Sequence, residues 1–67
     1  MIVLNGESTD LRAGDPLSVA LERLGLSLQA RGVAVAVDGE VVPRAGWATY
    51  TLGADARVEV LSAMQGG

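Results

Sequence analysis

Apolar residues recur along this chain with two different spacings, and the changes between them mark out its elements. Met1 to Leu4 is a short β-prone run closed by Asn5-Gly6, a dipeptide suited to a tight hairpin turn, and Glu7 to Leu11 is a shorter, more polar run placed to pair back on it. The period then lengthens. Leu17, Ala20, Leu21 and Leu24 stand at i, i+3, i+4 and i+7, with Glu22 and Arg23 off that stripe, which predicts one amphipathic helix of about ten residues. Gly14-Asp15-Pro16 reads as its start, with Asp15 capping free backbone N–H groups and Pro16 in the first helical position, where a missing donor is harmless. Gly25 suits the left-handed residue that ends a helix and would fold Leu26 back on Leu21, with Leu28 extending that cover.

From Gly32 the strand pattern returns. Val33-Ala34-Val35-Ala36-Val37 is apolar on both faces, as a strand inside a sheet would be. Asp38-Gly39 makes a second turn, and Glu40-Val41-Val42 forms a short strand halted by Pro43. Arg44 to Thr49 predicts a loop or a single helical turn with Trp47 folded inward, Tyr50-Thr51-Leu52 a brief strand, and Gly53 to Ala56 a turn. Arg57-Val58-Glu59-Val60 alternates, directing Val58 and Val60 inward and Arg57 and Glu59 outward in the last strand. The resulting order β-β-α-β-β-β, with one helix crossing one face of a mixed sheet, is the α+β arrangement of a β-grasp (ubiquitin-like) fold. Crossover handedness lets its first and last strands lie parallel in the middle. We expect one domain over residues 1–62 and a flexible tail over residues 63–67.

Composition narrows the chemistry. A chain of 67 residues buries only roughly 60% of its unfolded surface, enough for one core and no deep cleft. There is no Cys and no His, which removes disulfide staples, zinc sites, thiol nucleophiles and imidazole bases. The chain is therefore not expected to be an enzyme alone. All five basic residues are Arg, eight Asp and Glu give a formal charge of −3, and Trp47 and Tyr50 are the aromatics, a poor set for a nucleic-acid groove. No apolar run approaches the roughly 20 residues of a membrane span and no signal peptide is recognisable, so a cytoplasmic protein without membrane or nucleic-acid partners is expected.

What remains is the end of the chain. Gly66-Gly67 reads either as a frayed terminus or as a strip without side chains, able to pass through a narrow channel and present the carboxylate of Gly67 to a nucleotide-binding active site. A bare carboxylate is a poor electrophile; coupled to AMP it becomes an acyl-adenylate that sulfur can attack, giving a thiocarboxylate. Leu61, Ala63, Met64 and Gln65 lie beside this tail. Leu61, on the face opposite Val58 and Val60, either covers the edge of the core or forms an exposed partner contact, with Met64 adapting to more than one surface and Ala34 and Ala36 extending the patch. Asp38-Gly39-Glu40 is better explained by a hairpin than by a bound cation.

These residues resemble the ThiS sulfur carrier proteins of thiamine biosynthesis. The similarity runs through Leu4-Asn5-Gly6-Glu7, Gly32 to Val37, Gly39-Glu40-Val41-Val42-Pro43-Arg44, Trp47-Ala48-Thr49, Arg57-Val58-Glu59-Val60 and Gln65-Gly66-Gly67. Asp38 stands where the family often has Asn, and either residue makes the turn. The resemblance implies a β-grasp carrier that binds no cofactor itself. Its Gly67 would be adenylated by an ATP-dependent activating enzyme and converted to a thiocarboxylate with sulfur relayed from cysteine, and thiazole synthase would then take the sulfur. Relatives that serve molybdopterin or tRNA thiolation, a covalent protein modifier joined through Gly67, and a plain interaction domain are the alternatives.

Overall fold

In a computed structural model, which describes residues 1–62, the elements are β1 (Val3–Leu4), β2 (Glu7–Ser8), α1 (Leu17–Arg23), β3 (Val33–Val37), β4 (Glu40–Val42), a single 3₁₀ turn (Arg44–Gly46) and β5 (Arg57–Ser62). The five strands form one sheet in the order β2-β1-β5-β3-β4. β1 runs parallel to β5, Leu4 facing Val58, and the other three pairings are antiparallel. This is the expected β-grasp arrangement, with the last strand at its centre.

Both Xaa-Gly dipeptides turn as their chemistry dictates. Asn5 and Gly6 have φ of 51° and 85°, and Asp38 and Gly39 have 53° and 85°, positive at both central positions as the twist of a two-residue hairpin requires. β3 lies between β5 and β4, with Val35 and Val37 buried on one face while Ala34 stands exposed on the other. Val58 and Val60 of β5 are buried and alternate with the exposed Arg57 and Glu59.

The helix departs from expectation in its length and at its start. It has seven residues rather than about ten. Its start is displaced by one position: Pro16, at φ −75° and ψ 152°, is the extended residue that precedes the helix, and Leu17 begins it. Asp15 caps nothing in the helix. Its Oδ2 accepts from the Arg12 N–H at 2.9 Å, and its carbonyl accepts from the Leu52 N–H at 2.9 Å. Thr51 bridges to Pro16, which is all that remains of the brief strand expected over Tyr50 to Leu52. The other end behaves as read. Gly25 at φ 77° donates to the Glu22 carbonyl and Leu26 N–H to the Leu21 carbonyl at 2.9 Å, the paired bonds of a glycine-terminated helix. Leu24 is 40% exposed and drops out of the stripe, leaving Leu17, Ala20 and Leu21 in the core, each leucine stabilising the fold by about 2 kcal/mol on burial.

Trp47 completes the core. It is 2% exposed, and its indole N–H donates to the Val42 carbonyl at 2.8 Å, so burial strands no donor. The Arg44 guanidinium lies 5.1 Å from the centre of the indole ring and donates to the Leu28 carbonyl at 3.1 Å and to that of Ala30. The segment following the helix is thereby tied to the end of β4.

Candidate functional site

β5 carries the chain toward Gly66 and Gly67, and its alternation decides what surrounds the exit. With Val58 and Val60 inward, Leu61 points to the other face of the sheet and is 72% exposed. Leu61 therefore does not cover the edge of the core. Its partner on β3 is Ala34, while Ala36 faces Glu59 on one side and Val41 on the other. Val41 is 74% exposed. Ala34 and Ala36 are short, so Val41 and Leu61 stand as walls of a shallow hollow of about 100 Å³, completed by Val35 and Glu59. A more open depression of about 410 Å³ continues past Gly32, Val33 and Ser62 at the end of β5. The result is an apolar, solvent-facing surface on the sheet face away from the helix-covered core.

Ala63, Met64, Gln65, Gly66 and Gly67 lie outside the described residues, so of the expected site residues the structure places Leu61 alone. It adds Val41, which the sequence reading left within a short strand. Alternation over Val41-Val42 was the available signal, since one of two adjacent valines must face outward.

A second omission concerns Asn5. Beyond turning the chain, its Oδ1 accepts from the Val60 N–H at 2.8 Å and its Nδ2 donates to the Val60 carbonyl at 3.3 Å. At the opposite end of β5, Asp38 Oδ1 accepts from the Arg57 N–H at 3.0 Å. That contact gives the Asp38 carboxylate an intramolecular partner in the hairpin.

Glu59 borders the apolar surface, but the ion pairs of Asp10 and Asp55 lie away from it. A hydrogen bond from Arg23, 2.7 Å away, and then its positive charge hold the Asp10 carboxyl below its ordinary 3.8. The amino group of Met1 does the same for Asp55, first by hydrogen bond and then by charge. Neither carboxylate lines the hollow. Among the described residues no group of acidic side chains gathers in a way that could hold a metal ion, and no helix is long and apolar enough to cross a membrane.

A sheet with its last strand central and parallel to the first, one helix over its core face and an exposed apolar face beside the chain's exit defines a ubiquitin-like protein. Its family is the ThiS family, whose model matches residues 2–67. This chain belongs to it, among small ubiquitin-like carrier proteins of thiamine biosynthesis. Among solved structures it is similar to a thiamine biosynthesis protein (ThiS) from Geobacter metallireducens. That protein is 29% identical with a TM-score of 0.71, and the similarity covers 98% of this chain and 97% of the other. No curated protein gives a significant match.

Proposed function

We propose that this chain is a sulfur carrier whose reactive atom is the carboxyl carbon of Gly67. A carboxylate oxygen of Gly67 attacks the α-phosphate of ATP in a partner activating enzyme, and pyrophosphate leaves. Hydrosulfide, released by thiol reduction of a persulfide that carries the sulfur of cysteine, then attacks the acyl carbon, and AMP leaves with the oxygen. The resulting thiocarboxylate is delivered to thiazole synthase. The observation that carries this reading is the family match, which extends through Gly66 and Gly67 to the last residue. The exposed surface of Leu61, Val41, Ala34 and Ala36 supports it by offering a docking face beside the exit. Ala63, Met64 and Gln65 continue that contact toward the partner, Gly66 gives steric access and Gly67 reacts. ATP belongs to the partner enzyme, and the carrier binds no cofactor.

The test is intact mass after incubation with ATP, a ThiS-type activating enzyme and a sulfur donor. Exchange of one oxygen for sulfur on the carrier is expected. A gain of a whole protein would instead identify a covalent modifier, and an unchanged mass would sink both. Deleting Gly67, or Gly66→Trp, should abolish loading while thermal unfolding of the domain is preserved.

A further inference from the structure

The last backbone contact from the first strand to the last is made by Asn5, whose N–H donates to the Val58 carbonyl at 2.8 Å. There the chain turns back at Asn5-Gly6, and the main chain that a longer β1 would have offered to Val60 is gone. The Asn5 carboxamide stands in its place. It presents one acceptor and one donor at a spacing like that of a peptide group, and it engages both the N–H and the carbonyl of Val60. On its other side Val60 faces Val35 of β3. β5 is thus held from both sides through Val60, whereas among the described residues Leu61 and Ser62 are paired with β3 alone.

The turn by itself does not call for this residue. Asp and Gly serve an Xaa-Gly hairpin as well as Asn does, but Asp lacks the donor and Gly lacks both groups. We propose that Asn5 is a positioning residue for the carrier reaction. Its carboxamide fixes the point, seven residues ahead of Gly67, from which the reactive end is offered to the activating enzyme. Without it the end of β5 loosens back toward Val58, the root of the tail and the Leu61 side chain wander, and capture by the enzyme carries a larger ordering cost. Chemistry at the captured carboxylate is untouched. The inference rests on the sulfur-carrier reading above.

The variants Asn5→Gly and Asn5→Asp test it, with Asp38→Gly as control. The control places the same glycine in the same kind of turn and deletes a side-chain bond to the opposite end of β5. Two measurements are made on the full chain: residue-resolved amide exchange, and pyrophosphate release by the activating enzyme as a function of carrier concentration. For Asn5→Gly, exchange at Val60 should accelerate about tenfold or more over that at Val35 and Val37, and for Asn5→Asp, which keeps the acceptor for the Val60 N–H, by less. KM for the carrier should rise about three- to tenfold with kcat within about twofold, the range set by losing one or two modest hydrogen bonds. The control should leave KM unchanged. Equal KM rises in all three variants, or exchange that quickens uniformly across the sheet, would reduce Asn5 to a turn former and overturn the proposal. So would an unchanged KM. Failure of the unsubstituted chain to release any pyrophosphate would instead overturn the carrier reading, and this one with it.

Discussion

The Asn5-Gly6 and Asp38-Gly39 turns have almost the same backbone, yet they make different demands on their first residue. At Asp38 the backbone N–H donates to the Arg57 carbonyl at 2.9 Å, so the side chain has one task left, to accept from the Arg57 N–H. At Asn5 the backbone N–H is committed one rung earlier, to Val58, and the side chain must serve both groups of Val60. An acceptor suffices in the first case; the second needs an acceptor and a donor. An acceptor-only side chain therefore suffices at position 38, and turn chemistry alone does not fix residue identity in a hairpin. What the neighbouring strand lacks matters as much.

The largest effect that would test this contrast comes from leucine, which fits neither turn. Asn5→Leu loses two hydrogen bonds and forces a branched side chain into left-handed backbone, for about 2–3 kcal/mol. Asp38→Leu loses one bond in a more exposed place and should cost about 1–1.5 kcal/mol. Urea unfolding followed by circular dichroism measures both, and equal losses would break the comparison. The exchange of residue types sharpens it. Asn5→Asp should destabilise by about 1 kcal/mol by setting a carboxylate oxygen against the Val60 carbonyl, whereas Asp38→Asn, which keeps its acceptor, should change stability by less than about 0.5 kcal/mol.

The smallest effect lies outside both turns and sets the floor for reading them. Asp10 is held below its ordinary 3.8 by Arg23, so its contribution to stability is complete above that value and is lost as pH falls through the lower folded-state value. Arg23→Ala should therefore narrow the difference in urea midpoint between neutral and acid pH, with only a slight change at neutral pH because the pair is exposed and screened. A variant that steepened the acid dependence would contradict the assignment.

Both turns were legible in the sequence because their signal is local: two residues, two positive φ angles, apolar runs on either side. The inward set of β5 followed from strict alternation, and Gly25 ended the helix as its lack of a side chain allows. The start of the helix depended on partners that its local residue types do not announce, one near and two distant in sequence. Asp15 has the composition of a cap, but Arg12 and Leu52 engage its oxygens, and the bridge from Pro16 to Thr51 keeps Pro16 extended. Alternation put Leu61 on the outer face without saying whether anything covers that face; the topology settles it, because α1 joins the core on the other side. The second duty of Asn5 was hidden by its first. Once Asn-Gly is explained by a turn, nothing in the sequence asks for a further reason.

The indole of Trp47, buried against the Val42 carbonyl, gives the protein a built-in optical probe. It is the single tryptophan of the chain, so its emission comes from one site, shielded from water in the native state and exposed on unfolding. That site lies on the core side of the sheet, whereas Leu61 and Val41 face outward. Fluorescence should consequently report the integrity of the fold while remaining blind to chemistry at the tail. A variant that fails to load sulfur yet keeps the native emission maximum can then be separated, in one cuvette, from a variant that has come apart.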